Sequence, residues 1–164
     1  MIAESTPYDP VMMSDPVGET GAATAQVAEI IAGDPFARYL GIELLDLRPG
    51  HSRMAMVLRS HMDNFNGLPH GGAIFTLADA AFAAASNARG TVAVALSMTI
   101  HYLTSPASGT RLIAEATESR LGRRVAFYDI TVASEDGQPV ARCQGVVQRS
   151  AQAVMRRQGQ GAAP

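Results

Sequence analysis

The clearest pattern along the chain lies between Val92 and Tyr102, where Val92, Val94, Leu96, Met98, Ile100 and Tyr102 alternate with Ala93, Ala95, Ser97, Thr99 and His101. A period of two sustained that long predicts a β-strand with these two sets on opposite faces. A second alternation, Arg53, Ala55, Val57 and Arg59 against Met54, Met56 and Leu58, predicts a half-buried strand over 52–59 with its polar face outward. Strand-like segments also run over 42–48, up to Pro49-Gly50, over about 112–118, over 124–134 and from about Pro139 to Gln148. Between the last two, Asp136-Gly137 is the two-residue signal of a type I′ hairpin.

Helical patterns are fewer. Residues 25–32 are helix-compatible, and Asp34-Pro35 supplies a cap followed by proline at the first helical position of a short helix that Gly41 closes. The segment HGGAIFTLADAAFAAASN, residues 70–87, has about four turns of strong helix formers, no proline and two leading glycines. Its apolar residues go all the way round, which predicts a helix buried on most sides. The order, two strands, a long buried helix and then a strand meander, predicts an α+β fold in which an antiparallel sheet of five to six strands wraps one central helix. Residues 1–24, with three prolines, and 150–164 read as a flexible arm and tail, leaving 25–149 as the domain.

Composition narrows the chemistry. At 164 residues and 17.2 kDa, one domain is the default. Nine aromatics and no tryptophan stand against 28 alanines, so the core must close through small side chains. All 13 basic residues are arginine. That excludes Schiff-base chemistry, covalently held pyridoxal phosphate and any lysine-dependent phosphate loop, and leaves arginine and backbone amides to meet anionic ligands. A single cysteine, Cys143, excludes an intramolecular disulfide and reads as a packed residue of the last strand in a reducing, cytoplasmic setting. A net charge of -2 gives no nucleic-acid footprint. No apolar run is long enough to span a membrane, and the N-terminus lacks the basic start of a secretory signal. There is no Gly-x-Ser-x-Gly elbow, and His51, His61 and His101 lack metal-ligand spacing, so no metal is expected.

Two features carry candidate chemistry. Asp79 is the one ionisable side chain within the buried helix, and it reads either as a general base or nucleophile tuned by a dry site or as a structural acid with a satisfied partner. His70-Gly71-Gly72, at the helix start, reads either as a plain turn or as a place where unpaired amides and the helix dipole meet a developing oxyanion. Nine residues of helix separate His70 from Asp79 by about 13 Å, so if both act on one bond the second copy comes from a neighbouring subunit. Asn64 and Asn66 either orient a water or carbonyl or simply form turns. Arg120, Arg123 and Arg124 surround Gly122 as a solvated edge or as a contact for a phosphate-bearing ligand.

Taken together, residues 64–87, NFNGLPHGGAIFTLADAAFAAASN, resemble the hallmark segment of the hotdog-fold thioesterases, most closely the phenylacetic acid degradation thioesterase family. The resemblance extends from DPFARYLGIE, residues 34–43, to VARCQG, residues 140–145. It implies a hotdog fold and a homodimer with one continuous sheet, often paired into a tetramer, with active sites between subunits. It implies Asp79 as catalytic carboxylate, Asn64 holding the thioester or water, the Gly71 N–H polarising the carbonyl, and His70 shaping the helix start. Coenzyme A would lie along the interface as part of the substrate, with no separate cofactor, its phosphates met by Arg123 and Arg124 at the Gly122 turn. Ser97 and Ala95 are equal candidates for the place of an assisting hydroxyl. The implied activity is hydrolysis of phenylacetyl, hydroxyphenylacetyl or related acyl-CoA thioesters. The alternatives are an enoyl-CoA hydratase or dehydratase and a non-catalytic acyl-CoA-binding module.

Overall fold

Residues 19–155 are described by a computed structural model of the chain. Helices α1 (Glu19–Ala32) and α2 (Pro35–Leu40) precede strands β1 (Glu43–Arg48) and β2 (His51–Val57). A 3-10 turn, Ser60–Met62, and a loop lead into α3 (Gly71–Asn87), followed by β3 (Thr91–Tyr102), β4 (Arg111–Leu121), β5 (Val125–Ser134) and β6 (Pro139–Ala153). All neighbouring strands are antiparallel, in the order β1-β2-β4-β5-β6-β3. Every one of the six strands packs against α3. This is the α+β arrangement of a sheet around one long helix that the periodicities predict.

The small side chains explain how the sheet closes. Leu77, Ala78, Ala81, Phe82 and Ala85 of α3 are buried against Met54, Met56, Leu112 and Ile130 of the sheet. A Cβ on Gly145 of β6 would sit 2.5 Å from Phe82 Cζ, so only glycine lets the ring approach that strand. The same ring meets Tyr128 edge-on, with centroids 5.4 Å apart and planes at 62°. Locally, Asp34 Oδ1 accepts the Phe36 and Ala37 amide N–H groups at 2.8 and 2.9 Å, Pro35 follows, and Gly41 closes α2 in the left-handed region. Cys143 is buried and free, and burial pushes its thiol up to about 11.

Four features depart from the sequence pattern. The helix α1 begins at Glu19, so residues 19–24 belong to the fold rather than to an arm; residues 1–18 lie outside the described residues. The three prolines all precede that point, and Thr24 anchors the helix by donating its hydroxyl to Ala88 O at 2.8 Å. At the other end β6 runs to Ala153, paired with Thr91, so the first residues of the supposed tail complete the sheet; residues 156–164 again lie outside the description. In β3 a bulge between Ala95 and Ser97 breaks the period of two. Ala93, Met98 and Ile100 pack on the core, whereas Val94 and Leu96 stand 62% and 57% exposed. The β5–β6 hairpin is not type I′, because among the described residues only glycines have positive φ and Asp136 is therefore on the ordinary side. Gly137, at φ 88°, follows a turn closed by its own N–H on Ser134 O at 2.8 Å, which is a three-residue loop ending in a left-handed glycine. No helix among the described residues is long and apolar enough to cross a membrane.

Candidate functional site

The start of α3 is held from three directions. His70 is its N-cap, and Nδ1 accepts the Gly72 N–H at 2.8 Å. The His70 backbone N–H donates to Met62 O at 2.8 Å and its carbonyl accepts the Ala73 N–H at 2.9 Å. With Nδ1 an acceptor, a neutral imidazole carries its proton on Nε2. The Tyr102 hydroxyl, from the end of β3, donates to Gly71 O at 2.9 Å, and a Cβ on Gly71 would lie 3.1 Å from that ring. The one amide of this turn left without an acceptor among the described residues is the Gly71 N–H. It sits at the positive end of the helix dipole, where an anionic oxygen is favoured.

The loop before it is organised by Asn64. Its Oδ1 accepts the Asn66 N–H at 2.8 Å and the Leu68 N–H at 3.4 Å, and its own N–H donates to Leu68 O at 2.7 Å. A bridge between Asp63 and Pro69 ties the loop base to the helix start. Asn64 therefore forms the turn and, with its amide NH2 unpartnered among the described residues, also keeps donors to offer. Asn66 enters these bonds through its backbone.

Asp79 lies on a stripe of α3 that the sheet leaves open, together with Gly72, Thr76 and Ala83. The spacing of three and four puts these residues on one helix face. Its carboxyl has solvent on one side and apolar helix on the other, and this partial burial raises its pKa above the usual carboxylate range. No hydrogen bond or ion pair to it is found among the described residues. Eight residues of helix hold Asp79 and Gly71 about 12 Å apart within one chain.

Arg123 and Arg124 are exposed in the β4–β5 turn, without side-chain partners among the described residues. The register separates them from the helix start. Tyr102 pairs with Ala141, whereas Val125 pairs with Gln148, seven residues further along β6, so the turn lies roughly 23 Å from Gly71 in the same chain. The Gly122 backbone is engaged by the turn itself: its N–H donates to Val125 O at 2.9 Å and its carbonyl accepts Arg149 Nη1 at 2.9 Å. Ser97 pairs with Val146, which alternates with the buried Cys143 and Val147 face, and so the register turns Ser97 away from α3; Ala95 pairs with Val147 on the helix side. His51 bonds Glu115 on the outer face, with Nε2 2.8 Å from Oε1. Among the described residues no group of three or more His, Cys, Asp and Glu side chains is arranged to hold a metal.

The sequence reading missed Tyr102, which looked like one more strand residue. Nothing local links position 102 to position 71; only the placement of β3 beside the helix start does.

Comparison with known proteins bears on this geometry. The Thioesterase superfamily model matches residues 66–141, from the Asn66 loop through α3 into β6. The TT0310 protein of Thermus thermophilus has a crystal structure 44% identical in sequence, with a TM-score of 0.69, covering 71% of this chain and 98% of that one. The acyl-coenzyme A thioesterase PaaI of Escherichia coli K12 is 35% identical over 68% of this chain and 80% of its own length. The structure of that E. coli protein, from the phenylacetic acid degradation operon, superposes with a TM-score of 0.79 at 30% identity, covering 84% and 100% of the two chains. The smu.793 protein of Streptococcus mutans UA159, solved bound to acetyl CoA, is 27% identical with a TM-score of 0.66, covering 69% and 91%. Sheet, helix and matches agree: the chain belongs to the thioesterase superfamily and is a hotdog-fold thioester hydrolase.

Proposed function

We propose that the protein hydrolyses acyl-coenzyme A thioesters to the free acid and coenzyme A, with phenylacetyl or hydroxyphenylacetyl thioesters as its substrates. The observation that carries this is the Asp79 carboxylate, unpartnered among the described residues and raised in pKa on the open face of a helix whose first amide N–H is also free. Asp79 attacks the thioester carbonyl carbon itself, or removes a proton from the water that does. Negative charge then develops on the carbonyl oxygen, where the Gly71 N–H receives it. Collapse expels the coenzyme A thiolate, and water supplies the hydroxyl of the acid and the proton of the thiol. Asn64 offers its amide to the carbonyl or the water, and His70 acts by fixing the turn.

Since about 12 Å separates Asp79 from Gly71 in one chain, the working site takes Asp79 from one subunit and the Gly71 turn from another. A homodimer meets that requirement, and β3 supports it: it is a twelve-residue edge strand carrying the exposed Val94 and Leu96. A pair of such dimers makes the tetramer that the family resemblance suggests. Coenzyme A runs along the subunit boundary as part of the substrate, with Arg123 and Arg124 of one subunit meeting its phosphates and no separate cofactor. The acyl-CoA assignment is supported by the name of the E. coli relative and by the acetyl CoA bound to the S. mutans one, and the arylacetyl group by the operon of the former. The free, buried Cys143 suits a cytoplasmic enzyme. A histidine-based hydratase is disfavoured by His70 Nδ1, which is committed to the Gly72 N–H. Thiol release from acetyl, phenylacetyl, hydroxyphenylacetyl and long-chain acyl-CoA tests the reading: turnover fastest on the arylacetyl pair supports it, and no thiol release from any of them overturns it.

A further inference from the structure

We propose that the cavity between α1 and α3 is the acyl-selecting subsite, shaped for an apolar group no larger than about one six-membered ring. This rests on the thioesterase reading of Asp79 and identifies which part of the molecule chooses the acyl group. The cavity has a volume of about 190 Å³ and is walled by Val27 and Ile30 of α1, Met54 of β2, and Ala80, Ala83 and Ala84 of α3. A larger groove of about 790 Å³ lies on the other side of α1 against β1, but α3, the helix that carries Asp79, contributes no wall to it.

Position, size and polarity each bear on the assignment. Ala80 follows Asp79 in sequence and Ala83, exposed on the same stripe one helical turn further along, marks the cavity mouth, about 6 Å of helix rise from the Asp79 backbone. A carbonyl carbon held at Asp79 leaves its acyl substituent facing that mouth, while the oxygen and the thiol arm point toward the partner's helix start. An apolar cavity of about 150 Å³ accepts benzene, so about 190 Å³ admits one ring or a short branched chain and stops a long one. The polar side chain on the α3 wall, Asn87, is already occupied: Nδ2 donates to Ala83 O at 2.9 Å and Ala93 O at 3.2 Å, and Oδ1 accepts the Ala93 N–H at 3.0 Å. Asp34, the other polar side chain on the lining, has Oδ1 engaged by the Phe36 and Ala37 N–H groups as the α2 cap, so selection falls to the shape of the cavity and its apolar walls. Alanine at 80, 83 and 84 is what leaves the space, since any longer side chain there would fill it.

Two opposed variants test this. Ala80→Leu fills the cavity and Ile30→Ala enlarges it; both positions are only half buried, so neither is a core truncation. The quantity read is the ratio of kcat/KM for phenylacetyl-CoA to that for acetyl-CoA in the full chain. Ala80→Leu should lower the ratio by about 10- to 200-fold, the range that a small misfit produces in an apolar pocket. Ile30→Ala should raise kcat/KM for a naphthylacetyl thioester relative to the phenylacetyl one. Ratios unmoved in both variants overturn the subsite while leaving the thioesterase reading intact. Direct binding judges the subsite even if no thioester is turned over. Phenylacetate titrated into methyl-labelled protein should shift the signals of Ile30, Ala80 and Ala83 and lose that effect in Ala80→Leu. Shifts confined to other methyls, or none at millimolar phenylacetate, overturn it.

Discussion

The two ends of α3 are built on opposite principles. At the C-terminal end every polar group named has a protein partner. Thr24 donates to Ala88 O, Asn87 exchanges hydrogen bonds with Ala93, and Arg89 pairs with Glu118 at 2.9 Å while Tyr128 donates to the same carboxylate at 2.8 Å. Burial, reinforced by that carboxylate, pushes the Tyr128 hydroxyl pKa well above its usual value. At the N-terminal half the fold holds the frame through His70 and Tyr102 yet leaves the Gly71 N–H and the Asp79 carboxylate unanswered among the described residues. One end fastens the helix to the sheet, and the other is kept rigid but unsatisfied. Groups of this kind are what a ligand or partner can complete, and both fall in the half of α3 that runs from Gly71 to Asp79.

The sharpest way to break this contrast is Asp79→Asn. A positioned acid or base alone contributes about 10²- to 10⁴-fold, so thiol release should fall by at least that range. Stability should move the other way. A carboxyl whose pKa is raised on folding stabilises the fold while protonated, and that contribution is lost as pH rises through the folded value; near neutrality the ionised Asp79 is a net cost. The melting temperature of the variant at pH 7 should therefore equal or exceed that of the parent, and the difference should shrink on acidification. The parent's turnover should fail on its acid side above the usual carboxylate range, where Asp79 takes up its proton. A variant that loses activity and melts lower would mean that Asp79 holds the fold.

The mirror experiment is Glu118→Gln at the fastened end. Arg89 and Tyr128 would lose a largely buried charged acceptor, at a cost of about 1–3 kcal/mol, read as a lower denaturation midpoint. Turnover per folded molecule should hold. A loss of kcat at unchanged stability would show that the two ends are coupled and that the division drawn between them is wrong.

What the sequence disclosed follows the same line between local and distant. The α2 cap, the extent of α3 and most strand positions were readable because each is decided within a few residues: Asp34 reaches two and three residues on, and the apolar run of α3 allows nothing but a wrapped helix. The open stripe of Gly72, Thr76, Asp79 and Ala83 was not readable, because only the sheet order shows which side of the helix stays uncovered. Asp136-Gly137 suits both a type I′ turn and a turn ending in a left-handed glycine, and strand register chooses between them. The bulge at Leu96 was hidden because alanine fits either face, so the alternation looked unbroken. Asn64, His70 and Asp79 were legible as a spacing, but that Gly71 is clamped by a side chain 31 residues away belongs to the fold alone.

That clamp supplies a smaller test of the open end. Tyr102→Phe keeps the ring beside Gly71 and removes one hydrogen bond, worth about 0.5–1.5 kcal/mol. If the bond positions the turn, kcat should fall by a few-fold to about tenfold with KM little changed, because the Gly71 N–H is needed most when charge develops on the oxygen. A change confined to KM, or to the melting temperature, would make Tyr102 a packing residue only.

The smallest expected effect bears on whether the fastened end is as inert as it looks. Arg123 and Arg124 lie beyond that end, about 23 Å from their own Gly71, so in the proposed assembly they would reach a bound coenzyme A across a subunit boundary. Exposed charge contacts are worth about 0–1 kcal/mol each, so replacing both with alanine should raise KM by a few-fold, with about thirtyfold as the ceiling, and leave kcat in place. The increase should fade as ionic strength rises, since exposed pairs are screened within about 10 Å at 0.1 M salt. A KM unchanged at low salt would remove both arginines from the binding surface. A KM increase in the assembled enzyme would instead make the C-terminal end of one subunit part of the binding surface of its neighbour, and the contrast between the two ends would then hold for a single chain but not for the assembly.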